Sequence, residues 1–396
     1  MSIPLFDYHL NISDYIAARS PWSGILRYLR DRSAGDPASA ELTDEALAKQ
    51  LLKTAKEILT DTKEYDTFRK AISALRSNKT LSLRKDNLFR LLFVLQLPSD
   101  DEAHHFLIRY LHRNDLSPRA LDEFIVLSAL KLGLSWAETH ELLYVRYADR
   151  IKGQENVPDN LEEGFTQAVY LNVIDRLQTA EELVRYLDNP VNTSFFAKTG
   201  NTLYRTIFFD AVPVNASGND DASPHIRLVD DNGDDVAVEE YRRSLFGLSS
   251  YYSDDILSLE EIDALSAVFE DVFMTESSFY KLVSRHNLSD VSSGTFLLSF
   301  LMRIDPEDDS SEYYVDFLDG SEDDNDFHRA CDEWLLYYGF PYLNPECGNF
   351  EKLLLDVHRE LLSQLPSHPD IDNATFYDAY LAALRHYLRE LIRTLA

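Results

Sequence analysis

Residues 68–101 read FRKAISALRSNKTLSLRKDNLFRLLFVLQLPSDD, and this stretch decides the fold class. It begins with a short amphipathic segment, continues through the polar turn 76–79, and enters a run whose apolar positions recur at helical spacing. It closes at Pro98 with the pair Asp100 and Asp101. This order predicts two helices joined by a turn, in a protein that is mostly α-helical. The apolar positions of the second helix are Leu88, Leu91, Leu92, Val94 and Leu95.

A second stretch, residues 279–309, repeats this pattern as FYKLVSRHNLSDVSSGTFLLSFLMRIDPEDD. Both stretches end in Pro-x-Asp-Asp, and RALDEF at 119–124 is matched by RACDEW at 329–334. Between them, the helical positions Phe106, Leu107, Tyr110 and Leu111 correspond to Tyr313, Tyr314, Phe317 and Leu318. We therefore predict an internal duplication, in which residues 68–143 and 279–354 adopt the same helical topology.

Helix starts are marked by a hydroxyl residue followed three positions later by glutamate, the spacing of a capping box. Ser117-Pro118 predicts one further start, with Gly133 closing that helix. Amphipathic helices are also predicted over 43–59 and 374–396, the latter with Phe376, Tyr380, Leu384, Leu388 and Leu391 on one face. The four capping pairs are Ser99 with Glu102, Ser135 with Glu138, Thr179 with Glu182 and Ser258 with Glu261.

The middle of the chain departs from helical spacing. Residues 226–229 and 236–238 are β-prone and flank Asp-Asp-Asn-Gly-Asp-Asp, which predicts a hairpin with Asn232-Gly233 in its turn. The predicted fold is therefore mostly α, with two diverged helical halves and a small β-hairpin insertion between them. The corresponding division is an N-terminal helical domain at 1–190, a linker with the β insertion at 191–250, and a C-terminal helical domain at 251–396.

Composition limits the class of protein. The chain has 396 residues, 45% of them hydrophobic, and a formal net charge of −30, which repels nucleic acid and anionic membranes over most of the surface. It has two cysteines, Cys331 and Cys347, no signal-peptide pattern at its start and no apolar run long enough for a membrane span. We expect a cytoplasmic protein without a membrane partner.

The segment 67–97 resembles the second half of a repressor-type (lambda-repressor-like) helix-turn-helix unit. Its helix 67–75, the turn Arg76-Ser77-Asn78-Lys79 and the apolar helix after Ser82 carry the likeness. The turn of that family commonly contains Gly-Lys-x-x-Pro-Ser, and this chain lacks the Gly and the Pro. The resemblance implies that helix 67–75 is the recognition helix, and it extends weakly to the second copy.

A local excess of cations accompanies the resemblance. Seven Lys and Arg residues fall between positions 69 and 90, where Asp86 is the only acid. They could neutralise phosphates in a nucleic-acid groove, or they could pair with the acidic remainder of the molecule. The second copy retains only Lys281, Arg285 and Arg303. The candidate nucleic-acid or partner-binding residues are Arg69, Lys70, Arg76, Lys79, Arg84 and Lys85.

Catalytic and metal-binding motifs are absent from the sequence. His140-Glu141 lacks the second histidine of a zinc protease, and no Walker-type, dinucleotide or G-x-S-x-G loop occurs. The acids of 230–235 and 307–326 lack the spacing of a calcium loop. His104-His105 and Cys331 are expected to be structural or solvated. We predict no enzyme activity, no cofactor and no metal.

Three functions remain after these exclusions. The first is a bacterial-type regulatory or interaction protein that binds a protein partner, or itself, through an acidic helical surface. The second is a nucleic-acid-binding regulator that uses the 69–90 segment, and the third is a DNA-mimicking inhibitor of a basic partner. An enzyme whose site is assembled from scattered residues is the remaining rival, and it predicts a deep polar pocket.

Overall fold

The chain forms two compact units, and the computed structural model is mostly helical in its described part. One unit comprises residues 19–201, and the other comprises residues 1–18 together with 202–396. The grouping of 1–18 with the C-terminal half was not foreseen from the sequence, and the predicted boundaries at 190 and 250 stay predictions. The described residues are 6–33, 43–113, 116, 118, 120–152, 167–194, 196, 238–249, 255–270, 272–279, 292–311, 313–318, 320–321, 324–337, 343 and 348–396.

The unit of residues 19–201 is built around two helices that are buried on almost every side. In α5 every residue from Asn87 to Val94 is buried, and in α7 burial is continuous from Phe124 to Leu130. Its helices are α2 (Pro21–Ser33), α3 (Asp44–Ile58), α4 (Thr62–Arg76), α5 (Lys85–Val94), α6 (Asp100–Arg109), α7 (Leu121–Leu132), α8 (Trp136–His140), α9 (Ala148–Lys152), α10 (Gln167–Arg176), α11 (Ala180–Asp188) and α12 (Pro190–Ser194). A π-helical turn, π1 (Glu141–Arg146), separates α8 from α9.

The second unit is organised by its last helix. α18 packs against α14 and α17, and its 23 residues bury the predicted stripe from Phe376 to Leu391. None of the helices in the described part of the chain is long and apolar enough to cross a membrane. The elements are α1 (Ile12–Arg19), α13 (Val238–Phe246), α14 (Leu259–Val268), α15 (Ser293–Leu301), β1 (Gly320–Ser321), β2 (Asp324–Asn325), α16 (Asp326–Tyr337), α17 (Asn349–Gln364), a 3-10 turn (Leu365–Ser367) and α18 (Asn373–Leu395).

The helix starts predicted from the four capping pairs are confirmed because capping is a local interaction. The hydroxyls of Ser99 and Thr179 accept the backbone N–H three residues on, and Ser135 and Ser258 form complete capping boxes with their glutamates. Gly133 ends α7 with φ +67°, a conformation that glycine adopts without strain.

The β-hairpin insertion is wrong. Val238, assigned to its second strand, is instead the first residue of α13, whose Tyr241 and Phe246 are buried against neighbouring helices. Glu239 and Glu240 occupy the first turn of α13, where carboxylates are favoured by the helix dipole. Residues 226–237, with the predicted Asn232-Gly233 turn, lie outside the described part. Within that part, the only β pairing is the two-residue antiparallel ladder of β1 and β2.

The described residues allow only part of the two predicted repeats to be compared. α5 and α7 have helical counterparts in α15 and α16, at the predicted positions. Residues 313–318, expected to match α6, form turns and no helix, and their backbone is held by side-chain acceptors such as Asn373. The helix predicted from Ser117-Pro118 begins later, at Leu121. The counterpart of α4 falls largely on residues 280–291, which lie outside the described part, so the duplication stays a prediction.

Candidate interaction surface

The basic segment 69–90 spans α4, the following loop and α5, and several of its cations are held by carboxylates. Arg76 on α4 places Nη2 2.5 Å from Glu45 Oε2 on α3, and its guanidinium lies over the Trp22 ring. Arg69 lies 3.4 Å from Asp66 one turn earlier, with both side chains half exposed. An exposed ion pair of this kind contributes little to stability, so the Arg69 side chain keeps most of its conformational freedom.

Lys85 is the most firmly held of the six predicted residues. Its Nζ lies 2.7 Å from a carboxylate oxygen of Asp122 and 2.7 Å from one of Glu123, both in the first turn of α7. Burial by itself lowers the pKa of the Lys85 amine, but the two carboxylates outweigh burial and raise this pKa above its ordinary value. Lys85 therefore joins α5 to α7 and is not available to a phosphate.

Five of the six predicted cations, all except Lys85, are exposed at the surface of this unit. Lys70, Lys79 and Arg84 are exposed, and neither Lys70 nor Lys79 forms an ion pair with the described residues. Asn78, in the turn before Lys79, has φ +49°, and its side chain accepts a hydrogen bond from Ser20. Lys70 and Lys79 therefore present exposed charges that no carboxylate of the described residues pairs.

Glu64 on α4 is the centre of a polar cluster that sequence reasoning missed. Its Oε1 accepts hydrogen bonds from Arg90 Nε at 3.2 Å and Nη2 at 3.0 Å, and its Oε2 accepts one from Trp136 Nε1 at 3.1 Å. His140 Nε2 is 3.6 Å from the same Oε1. Arg90 also lies over the Trp136 ring and donates to Asn87. The cluster thus fixes α8 against α4 and α5.

The π-helical turn π1 continues from α8 directly beside this cluster. Tyr147 donates its backbone N–H to the carbonyl of Leu142, five residues earlier, which is the hydrogen bond of a π-helix. Leu142, Leu143 and Tyr147 are buried, and the residues between them are exposed. Val145 is 60% exposed and Tyr144 37%. The Trp136, His140 and Tyr144 rings succeed one another at four-residue spacing, a signal that was present in the sequence.

Tyr144 is held in place although it lies at the surface. Its hydroxyl donates to Asp86 Oδ1 at 2.7 Å, and its ring centroid is 4.9 Å from that of His140. Partial burial of the ring and the neighbouring Asp86 carboxylate raise the pKa of the Tyr144 hydroxyl above its ordinary value. The phenol is therefore neutral and oriented, and part of the side chain stays exposed.

Arg385 and Arg389, one turn apart on α18, form contacts that the sequence did not indicate. Arg389 binds both oxygens of Asp255 at 2.8 Å, and its Nε donates to Glu261 at 2.7 Å. The Arg389 hydrogen bonds lower the pKa of Asp255. Arg385 is 1% exposed and donates from Nη1 to the Leu248 carbonyl. These contacts fasten α18 to the start of α14 and to the chain after α13.

Residues considered for chemistry occupy structural positions. Burial raises the pKa of the Cys331 thiol, which disfavours a reactive thiolate. His358 is buried and donates from Nε2 to the Phe317 carbonyl at 3.1 Å, and burial lowers its pKa to about 4. His105 stacks edge-on against Tyr110. No group of three or more His, Cys, Asp or Glu within the described ranges is placed to hold a metal ion.

The acidic loop that follows α15 is ordered by its own hydrogen bonds. Asp305 accepts the backbone N–H of Glu307 and Asp308, and Asp308 accepts from Ser310. Bonds from the Ser310 side chain and backbone lower the pKa of Asp308. This loop is exposed and carries negative charge at neutral pH.

Comparison of the chain with protein-family models, with curated proteins and with solved structures found no match to any of them.

Proposed function

We propose that this chain is a non-enzymatic interaction protein that presents an acidic helical surface to a protein partner with a basic surface. The observation that carries the proposal is the pairing inside the basic segment. Arg76, Lys85 and Arg90 are bound by carboxylates from α3, α7 and α4, so their charges are neutralised within the unit and form no basic patch on a chain whose net charge is −30.

The charge distribution gives this proposal its physical basis. Each phosphate neutralised by a protein requires an exposed cation, and affinity for DNA is weak when those contacts are few. Of the six predicted cations, Arg76 and Lys85 are held and Arg69 has an adjacent acid. A basic protein surface is a better partner than DNA, because exposed carboxylates attract it at long range and accelerate its association.

Nucleic-acid binding is the second candidate function, and the exposed Lys70 and Lys79 favour it. The two functions are separated by an anisotropy titration of a labelled 25-base-pair duplex at low salt. We expect no binding at micromolar protein, and no difference between the wild-type chain and a Lys70→Glu/Lys79→Glu variant. Binding by the wild type that is lost in this variant would establish the nucleic-acid role and overturn the proposal.

The protein partner is sought with a zero-length carbodiimide reagent, which joins carboxylates to amines that lie within ion-pair distance. Cross-linking in cells of the source organism is expected to join Asp or Glu of this chain to lysines of one protein. The joined peptides of that protein should carry net positive charge, and the yield should fall as salt is raised. Cross-links confined to acidic or neutral surfaces would contradict the proposal.

A further inference from the structure

The π1 turn carries an apolar surface that the ion pairs described above do not explain. Five large apolar side chains are exposed among the described residues, and two of them, Tyr144 and Val145, are neighbours on π1. Single exposed apolar residues are ordinary, whereas adjacent ones on a rigid element often mark a contact site. π-helical turns are themselves frequent at functional sites.

A third exposed apolar side chain follows the helix that is fastened to π1. Asp188, at the end of α11, accepts hydrogen bonds from Arg146 at 2.7 Å and from the Tyr147 hydroxyl at 2.9 Å. Val191 follows three residues later on α12 and is 62% exposed. We define the π1 surface as the adjacent side chains of Tyr144 and Val145.

The surroundings of the π1 surface are negative. Asp86 binds the Tyr144 hydroxyl, Glu141 is exposed at the start of π1, and Asp188 accepts from Arg146. Arg146 pairs with Asp188 and Arg150 donates to the Leu187 carbonyl of α11, so three carboxylates stand against two arginines and the local charge is negative. The chemistry of the surface is an apolar centre with an acidic rim.

The π1 surface is also preorganised. The Tyr144 ring is fixed by Asp86 and His140, and the backbone of π1 is fixed by the buried Leu142, Leu143 and Tyr147. Binding here loses little conformational entropy, because these groups are already ordered. Tyrosine is also enriched at the centres of protein interfaces. Fixed geometry and a mixed apolar and acidic surface are suited to a peptide segment.

We propose that the π1 surface binds a segment of a protein partner in which an apolar side chain is flanked by lysine or arginine. Charge complementarity with Asp86 and Glu141 selects this occupant over a second copy of the chain, whose net charge of −30 opposes association. The inference rests on the proposed function and deepens it, because it names the surface and the chemistry of the partner.

The test is a selection of random 16-residue peptides displayed on phage against the full-length chain, followed by anisotropy titration of the enriched peptides. The variant Val145→Arg introduces a cation at the centre of the π1 surface. The matched control is Leu171→Arg, which makes the same change at a 41% exposed apolar residue on α10 in the same unit. Both variants should melt within a few degrees of the wild type.

We expect enriched peptides with an apolar residue between basic ones. Their affinity should fall at least tenfold in Val145→Arg and in Tyr144→Ala, change less than twofold in Leu171→Arg, and weaken with salt. Basic peptides that bind Val145→Arg as well as the wild type would overturn the π1 surface while leaving the proposed function standing. Absence of any basic peptide would overturn both.

Self-association is checked in the same series by sedimentation at 10–100 μM protein. The proposal expects a monomer for the wild type and for both variants. A wild-type dimer that is lost in Val145→Arg and retained in Leu171→Arg would show that the π1 surface binds a second copy, which contradicts the proposed partner.

Discussion

The variant Glu64→Ala probes the polar cluster that supports the π1 surface. Glu64 supplies acceptors for Arg90 and for Trp136 Nε1, and the Glu64 and Arg90 side chains are only 14% and 11% exposed. Removing the carboxylate leaves a nearly buried guanidinium without its counter-charge and an indole N–H without its acceptor. Each loss is unfavourable because neither group is fully solvated once its partner is gone.

The size of the effect follows from the two losses. Breaking one partner of a buried pair costs about 3–5 kcal/mol, and an unsatisfied buried N–H costs about 1–3 kcal/mol. Because some solvent reaches the cluster and the two effects are not additive, we expect the unfolding free energy of this unit to fall by about 3–4 kcal/mol. Glu64→Gln keeps an acceptor for one donor and should lose about half as much.

The assay is urea unfolding followed by tryptophan fluorescence in a Trp334→Phe background. Trp22 and Trp136 then report only the unit of residues 19–201. The matched control is Glu45→Ala, which removes the exposed partner of Arg76 and should cost less than about 1 kcal/mol. If Glu64→Ala costs no more than Glu45→Ala, the cluster does not hold α4, α5 and α8 together and the argument fails.

Two further predictions concern buried positions. Burial lowers the pKa of His358 from 6.5 to about 4, so the unfolded state binds the proton more tightly than the folded state. The free energy of unfolding should therefore fall as pH drops from about 6.5 towards 4, by at most about 3 kcal/mol. A His358→Leu variant should lose this part of the pH dependence of its urea midpoint. A Cβ at Gly24 would stand 1.7 Å from the Tyr110 carbonyl oxygen. Gly24→Ala stabilises an ordinary helix by roughly 0.5–1 kcal/mol, but here it should lower the melting temperature. A rise would show that α2 does not approach the end of α6 so closely.

The sequence determined the features that depend on neighbours within one helical turn. The hydroxyl and glutamate of each capping pair are three residues apart, so their hydrogen bonds form wherever the helix forms, and Ser135 and Ser258 carry complete boxes as predicted. The apolar stripe of α18 was equally predictable from the sequence, because its residues recur at helical spacing and one face must be buried.

The tertiary structure decided which distant groups meet. Lys85 was interpreted as a phosphate-binding candidate because its neighbours in sequence are basic, but its amine is bound by Asp122 and Glu123, nearly forty positions away. The β-prone residues around Val238 illustrate the same limit, since the packing of Tyr241 and Phe246 selects the helix α13 over the predicted strand.

The candidate surface follows this division between local and distant determinants. The four-residue spacing of Trp136, His140 and Tyr144 was available in the sequence, and it indicates one side of a helix. That Tyr144 and Val145 are exposed while Leu142, Leu143 and Tyr147 are buried was not, because burial depends on which helices cover a residue. Local hydrogen bonds and periodicity fix where helices start and which face is apolar, whereas charge pairing and exposure are set by contacts between residues far apart in the chain.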